Sequence, residues 1–428
     1  MCLKKIALIY LIWSLPNSLQ ADNTSSIDEA LSRPVVDGRL NMTIGVLGDA
    51  DGLTYGKAYG FTRLDRRIPA EVDSIVAIAS MTKLITTIAA LQLYDEGKLD
   101  IDAPIDNYLA DLKELKILSG FDAERNPIYV WPDRRPTARE LMSHTSGFVY
   151  SLWNRNAKIA EKEGITGGLR SGREMITNAP LAFEPGQAWE YGISTDWLGV
   201  IVEEVSNMKL AEYFDKRIFD VLRMEDSFYE IPKEKISRVA NLLFRDETNF
   251  LLKVLSIFTS SDLVEVPFIS APEVSIKYSS DYYSGGGGLY STLPDYAKLL
   301  QCLINGGELE GNRILSEKTV EMMFTSQTGN LPVGSAESQD PVLTNDIDMG
   351  FGSEAKFGLG LLLHPAGTKY GRNPHSASWG GLFNTYYWID REAELFGIFA
   401  TQVSPFFDLS AVETLHAFES AAYAGVAE

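Results

Sequence analysis

Cysteine, histidine and basic residues are scarce in this chain. Two cysteines and four histidines in 428 residues are too few for a disulfide scaffold and leave little material for a structural zinc site. Thirty-eight Lys+Arg against 58 Asp+Glu give a formal charge of −20. A surface that acidic repels phosphate backbones and anionic lipid, so neither nucleic acid nor membrane is an expected partner. Long apolar runs are also missing. Residues 6–15 form one, broken by Ser14 and ended by Pro16, but stable membrane insertion needs about 20 residues. There is no H-E-x-x-H pattern, no Cys/His cluster, no internal repeat and no low-complexity tract. No metal and no cofactor are expected.

What remains is ordinary globular composition, 45% hydrophobic and 22% charged, long enough for two domains or one domain with an insertion. Lys4 and Lys5, the short apolar run and Pro16 read as a signal peptide over residues 1–21. Ala21 suits the cleavage position, whereas Leu19 is larger than the residue preferred there. Export to the periplasm or beyond is the expectation; uncleaved, the chain would stay in the cytoplasm. Cleavage would leave Cys302 as the one cysteine, in the apolar stretch Leu299-Leu300-Gln301-Cys302-Leu303-Ile304, where a buried inert thiol is expected.

Ser26-Ile27-Asp28-Glu29 has the form of a capping box opening a first helix. Thr43 to Leu47, the turn Asp49-Ala50-Asp51-Gly52, and Leu53-Thr54-Tyr55 read as a hairpin. Beyond Ala79 the apolar period becomes helical, with Gly97 as a stop. Helical segments and long loops continue to about residue 300. Thr137-Ala138-Arg139-Glu140 caps one helix, and residues 197–205 form another. Short strands are expected at residues 357–363, 376–379, 384–389 and 395–401, then a last helix at 408–423. The predicted fold class is α/β in the α+β sense: an antiparallel sheet flanked by helices, built from both ends of the chain. Residues 22–85 and 290–428 would form that discontinuous domain, and residues 86–289 an inserted, mainly helical one.

Ile78-Ala79-Ser80-Met81-Thr82-Lys83 contains S-x-x-K at the start of a helix. Positions i and i+3 share a helical face, so the Lys83 amine can reach the Ser80 hydroxyl. The helix N-terminus favours negative charge developing there. Alone, the pattern equally suits an N-cap serine beside a solvated lysine. Ser206-Asn207-Met208-Lys209 matches it too, but follows a helix and reads as a helix-to-helix turn.

Ala79-Ser80-Met81-Thr82-Lys83, Leu141-Met142-Ser143-His144-Thr145-Ser146-Gly147, Phe183-Glu184-Pro185-Gly186 and Gly285-Gly286-Gly287-Gly288-Leu289 together resemble the serine β-lactamase-like superfamily. Within it, the chain is most similar to class C β-lactamases and the family VIII carboxylesterases that share their fold. The resemblance implies a β-lactamase or penicillin-binding-protein-like fold from about residue 26 to the C-terminus. It also implies an acyl-enzyme on Ser80. In Trp189-Glu190-Tyr191-Gly192-Ile193 it assigns Tyr191 to the family's Y-x-N tyrosine, a proton-transfer group with Lys83. Ser378-Trp379-Gly380-Gly381-Leu382 stands at the family's K-T-G, so the N–H groups of Ser80 and Leu382 would form the oxyanion hole. Trp379, Gly380, Gly381 and Ile193 would then face substrate.

Two departures point one way. Trp379 replaces a lysine that recognises the β-lactam carboxylate, and Ile193 replaces an amide. Both changes suit an uncharged short-chain ester better than a β-lactam, so a serine carboxylesterase with a small-molecule ester substrate is expected, possessing at most weak β-lactamase activity. A β-lactamase, a D-amino-acid peptidase, or a non-catalytic binding or sensor protein on the same scaffold are the alternatives. Oligomeric state is not legible. A Ser-His-Asp hydrolase is disfavoured, because Gly192-Ile193-Ser194-Thr195-Asp196 closes with Asp where G-x-S-x-G needs Gly, and no acid is positioned for His364, His375 or His416.

Overall fold

The computed structural model describes residues 18–65, 67–169, 171–248, 250–256, 262–265 and 282–424. The expected leader falls mostly on residues 1–17, outside the described residues. Helix α1 (Ser18–Val36) precedes the hairpin of β1 (Met42–Asp49) and β2 (Gly52–Gly60). The Asp49 carboxylate closes that hairpin, accepting from the N–H groups of Asp51 at 2.8 Å and Gly52 at 3.1 Å, the Asx turn its sequence favours. Ser26 does not open α1 as expected, because the helix already runs from Ser18. The Asp28 carboxylate instead accepts from Tyr55 Oη at 2.8 Å and from Lys57, tying α1 to β2.

The middle of the chain supplies α2 (Thr82–Asp95), α3 (Ala138–Met142), α4 (Arg155–Lys162) and α5 (Ser194–Ser206). The Thr137–Glu140 capping box at α3 is formed on both sides. After α5, Asn207 turns at φ 55° before the next helix, so Ser206–Lys209 is the expected turn. An unexpected hairpin, β3 (Ile117–Phe121) with β4 (Pro127–Val130), interrupts this helical part. It exposes Ile128, Val130 and the following Trp131.

Helix α6 (Leu293–Ile304) leads to β5 (Lys356–Phe357), β6 (Leu362–His364), β7 (Ser376–Gly381), β8 (Thr385–Asp390), β9 (Leu395–Ala400) and α7 (Leu409–Ala424). The segment read as one strand over residues 357–363 is a hairpin, turning through Gly360 at φ 72°. Seven antiparallel strands form one sheet in the order β5-β6-β7-β8-β9-β1-β2. The two ends of the chain meet where Ile44 pairs with Ala400. Strand alternation sends Tyr387 of β8 against Tyr296 of α6 and its neighbour Trp388 against Phe418 of α7. Helices therefore cover both faces, which is why β1 is buried along nearly its whole length. Each such aromatic, fully buried, contributes about 1.5–3 kcal/mol. Cys302 is buried in α6, and burial pushes its thiol up to about 12, an inert state. Among the described residues no helix is long and apolar enough to cross a membrane.

Candidate active site

Ser80 lies in a single 3-10 turn, Ala79–Met81, that runs directly into α2. Ala79 holds φ 43° and His144 φ 57°, left-handed values that side chains with a Cβ rarely adopt. Such strain costs on the order of 1–3 kcal/mol per residue and persists only where packing imposes it. Ser80 is partly exposed, while Lys83, one turn on, is buried. Lys83 Nζ lies 3.3 Å from Ser80 Oγ, 3.1 Å from Tyr150 Oη and 2.6 Å from the Gly286 carbonyl oxygen. Burial brings the Lys83 pKa down to about 7, against the pull of the Asp196 carboxylate.

Tyr191 is brought to the same place. Its ring centroid is 4.8 Å from Lys83 Nζ. No hydrogen bond of good geometry reaches its buried oxygen. Burial pushes the phenol above its ordinary range, while the nearby Ser80 hydroxyl and Trp379 indole N–H pull it partly back. Trp379 is 4% exposed, its ring 4.9 Å from Tyr191 and 5.3 Å from Phe357. It therefore meets the reacting groups through Tyr191. The end of β7 packs on the nucleophile's own segment. A Cβ on Gly381 would overlap the Ile78 carbonyl oxygen, so only glycine allows this approach. Thr385 Oγ1 donates to that same oxygen at 3.4 Å. Leu382 follows at the strand's end, half-buried. Gly380 lies within β7 against the Tyr386 ring. Ile193 is buried and lines a cavity of about 520 Å³, its open mouth included, together with Leu118, Val149, Tyr150, Ala160 and Leu181.

The sequence reading missed Tyr150 and Asp196. Asp196, wholly buried in the first turn of α5, accepts from Tyr150 Oη at 3.3 Å, Tyr282 Oη at 3.1 Å, the Gly286 N–H at 3.2 Å and the Ser284 hydroxyl. Their sequence signals are faint. Tyr150 stands three residues beyond Gly147, and Asp196 is the lone carboxylate before the apolar run of α5.

Trp131, Trp153 and Phe258 are aromatics of the middle of the chain that could line a pocket or merely pack; Trp131 is largely exposed, and Trp153 packs at 5.4 Å on Tyr191 within the site. Phe258 lies outside the described residues. His144 packs its ring on Tyr191 at 4.9 Å, and burial, then Lys83, hold it neutral, well below the usual imidazole range. A serine–histidine contact joins His364 Nε2 to Ser378 Oγ at 2.7 Å. In a triad an acid would hold the other ring nitrogen, but His364 Nδ1 has no hydrogen-bond partner among the described residues, and Arg372 crowds Nε2 at 3.3 Å. Burial and Arg372 hold His364 down to about 3, so it is no base near neutrality. Ser194 Oγ is buried against Ser146 Oγ at 2.8 Å. Among the described residues, no three His, Cys, Asp or Glu side chains converge to hold a metal ion.

Residues 31–420 match the family described as Beta-lactamase. The chain belongs to that family. Its relatives within curated proteins include a lovastatin esterase of Penicillium rubens, 31% identical over 395 residues, covering 88% of this chain and 92% of that one. A monacolin J acid methylbutanoyltransferase of Aspergillus terreus is 25% identical over 421 residues, covering 94% and 96%. Among solved structures, a mutant simvastatin synthase from Aspergillus terreus superposes with a TM-score of 0.79 at 24% identity, over 96% of this chain and all of that one. This β-lactamase-family chain is thus a hydrolase or acyl-transferring enzyme of the β-lactamase fold.

Proposed function

We propose that the protein is a serine carboxylesterase that cleaves short-chain carboxylic esters through an acyl-enzyme on Ser80. One observation carries this reading: the Ser80 hydroxyl lies 3.3 Å from an amine whose pKa is about 7. A neutral Lys83 that donates its two N–H bonds to the Gly286 carbonyl and Tyr150 Oη points its lone pair at Ser80 Oγ. Lys83 takes the serine proton as the alkoxide attacks the ester carbonyl. Tyr191, a neutral phenol beside both groups, gives its own proton to the departing alkoxide and is reprotonated by the Lys83 ammonium. The Ser80 and Leu382 N–H groups receive the oxyanion. Water then attacks the acyl-enzyme by the reverse path. The Trp379 and Ile193 substitutions, both apolar, favour an uncharged ester over a β-lactam.

Fluorophosphonate treatment of the intact protein followed by peptide mass spectrometry is the test. One adduct on Ser80 is expected. An adduct on Ser378, Ser194 or no serine at all refutes the reading. Turnover of a p-nitrophenyl butyrate ester is expected to exceed that of a chromogenic cephalosporin, and the reverse order would favour the β-lactamase alternative.

The relative's name specifies a methylbutanoyl group, and the largely apolar cavity beside Tyr150 and Ile193 suits an acyl chain of that size. Ala157, on α4, lines the same cavity and is partly buried. Ala157→Phe is expected to lower kcat/KM for the butyrate ester about tenfold relative to the acetate ester. An unchanged chain-length profile would place the acyl chain elsewhere.

A further inference from the structure

Lys83 touches three oxygens, and two of them are held by one carboxylate. Tyr150 Oη accepts from Lys83 Nζ at 3.1 Å and donates to Asp196 Oδ2 at 3.3 Å. The Gly286 peptide accepts from Lys83 through its carbonyl at 2.6 Å and donates its N–H to Asp196 Oδ1 at 3.2 Å. Asp196 is therefore a hub from which two arms reach the same amine. A Cβ on Gly286 would overlap Asp196 Oδ2 and lie 2.9 Å from Tyr150 Oη. Only glycine lets the loop close over the carboxylate. Tyr282 and Ser284 complete the carboxylate's partners from the same loop.

We propose that Asp196 and Tyr150 are positioning residues for attack by Ser80, acting through Lys83. The proposal rests on the reading of Lys83 as the base for Ser80. Ile193 offers no polar group to the lysine, and Tyr150 supplies one from a separate loop. With Tyr150 and Gly286 each holding one N–H, the amine cannot rotate its lone pair away from Ser80. Asp196 fixes both acceptors and adds a negative charge that favours the ammonium form. The groups facing Lys83 are Ser80 from its own segment, Tyr150, Tyr191, Asp196 from α5 and the Gly286 carbonyl; the neighbouring His144 is neutral. Among the described residues, Asp196 is thus the one carboxylate acting on the amine.

The sign follows. Ester turnover requires neutral Lys83, so kcat/KM rises with pH through the amine's pKa, near 7. Removing the carboxylate disfavours the ammonium and moves this acid limb to lower pH. Tyr150→Phe leaves two acceptors for the ammonium's three N–H bonds, and moves the limb the same way.

The test is the pH profile of kcat/KM for p-nitrophenyl butyrate in wild type, Asp196→Asn, Asp196→Glu and Tyr150→Phe, each checked for folding by circular dichroism. Expected are an acid limb displaced downward by about half a pH unit or more in Asp196→Asn and Tyr150→Phe, and a plateau about 10- to 100-fold lower. Asp196→Glu is expected to restore the wild-type limb. Lower plateaus with unmoved limbs in both variants would mean a merely structural role and overturn the proposal. Tyr150→Phe retains the ring, so it keeps the test open should Asp196→Asn fail to fold. A Ser80→Ala protein that keeps full turnover would overturn the reading of Ser80 and Lys83 itself, a different failure from unmoved limbs in the two variants.

Discussion

Ser80→Ala and Lys83→Met are each expected to cut kcat/KM for a p-nitrophenyl ester by on the order of 10⁴-fold or more, and the double variant is expected to be no slower than the poorer single one. Nucleophile and base act as a unit. Once the hydroxyl is gone, nothing remains for the amine to deprotonate; once the amine is gone, the hydroxyl is an ordinary alcohol. Methionine preserves the length of the lysine stem in its fully apolar setting on α2, where every residue from Thr82 to Leu93 is buried. The fold should therefore survive. Lys83→Arg makes the sharper control. A guanidinium stays protonated at every accessible pH, so it preserves positive charge near Ser80 but supplies no base. It is expected to be as inactive as methionine. Steady-state kinetics across pH 6–9 decide the matter, and activity within tenfold of wild type in Lys83→Arg would mean the lysine serves only as a charge.

The largest effect on stability is expected on the other side of the sheet. Arg372 and Glu419 are 1% and 0% exposed, joined at 2.5 Å. The guanidinium sits 5.5 Å from the Trp388 ring and also contacts His364, which holds Ser378 beside Trp379. Removing one member of a buried ion pair leaves an uncompensated charge and costs about 3–5 kcal/mol. Glu419→Ala is expected to lose that much in urea unfolding. The double replacement Arg372→Met with Glu419→Leu is expected to recover most of it, since apolar groups of similar volume need no partner. Equal losses in single and double variants would show that packing, rather than the stranded charge, sets the cost. Because this pair ties α7 to the loop between β6 and β7, activity should follow the folded fraction and leave KM unchanged.

Local pattern made part of the site legible in the sequence. Ser80 and Lys83 are one helical turn apart, so their meeting follows from backbone geometry alone. Tyr191 and the segment from Trp379 to Leu382 became visible through resemblance, and the fold brings them to Ser80. Tyr150 and Asp196 had no such route. Tyr150 meets Lys83 from 67 positions away, and Asp196 meets Tyr150 across 46. A lone tyrosine in a loop and an acid at a helix start carry no periodicity that marks them. The large strands were legible because apolar residues cluster between turn residues. The capping box at Ser26 misled because local hydrogen-bonding preference cannot tell a helix start from a residue inside a longer helix, where Asp28 is drawn instead to Tyr55 and Lys57 on β2. Hairpin β3–β4 escaped notice because half of it faces water and shows no buried alternation.

The pairing of β1 with β9 has a consequence for how the molecule is made. Ile44 leaves the ribosome roughly 350 residues before its partner Ala400. Until then the first hairpin has an unprotected edge, and its apolar face must wait for α7 to arrive. Loop closure over that span is slow, and assembly of the sheet is the step at which a nascent chain would need a chaperone.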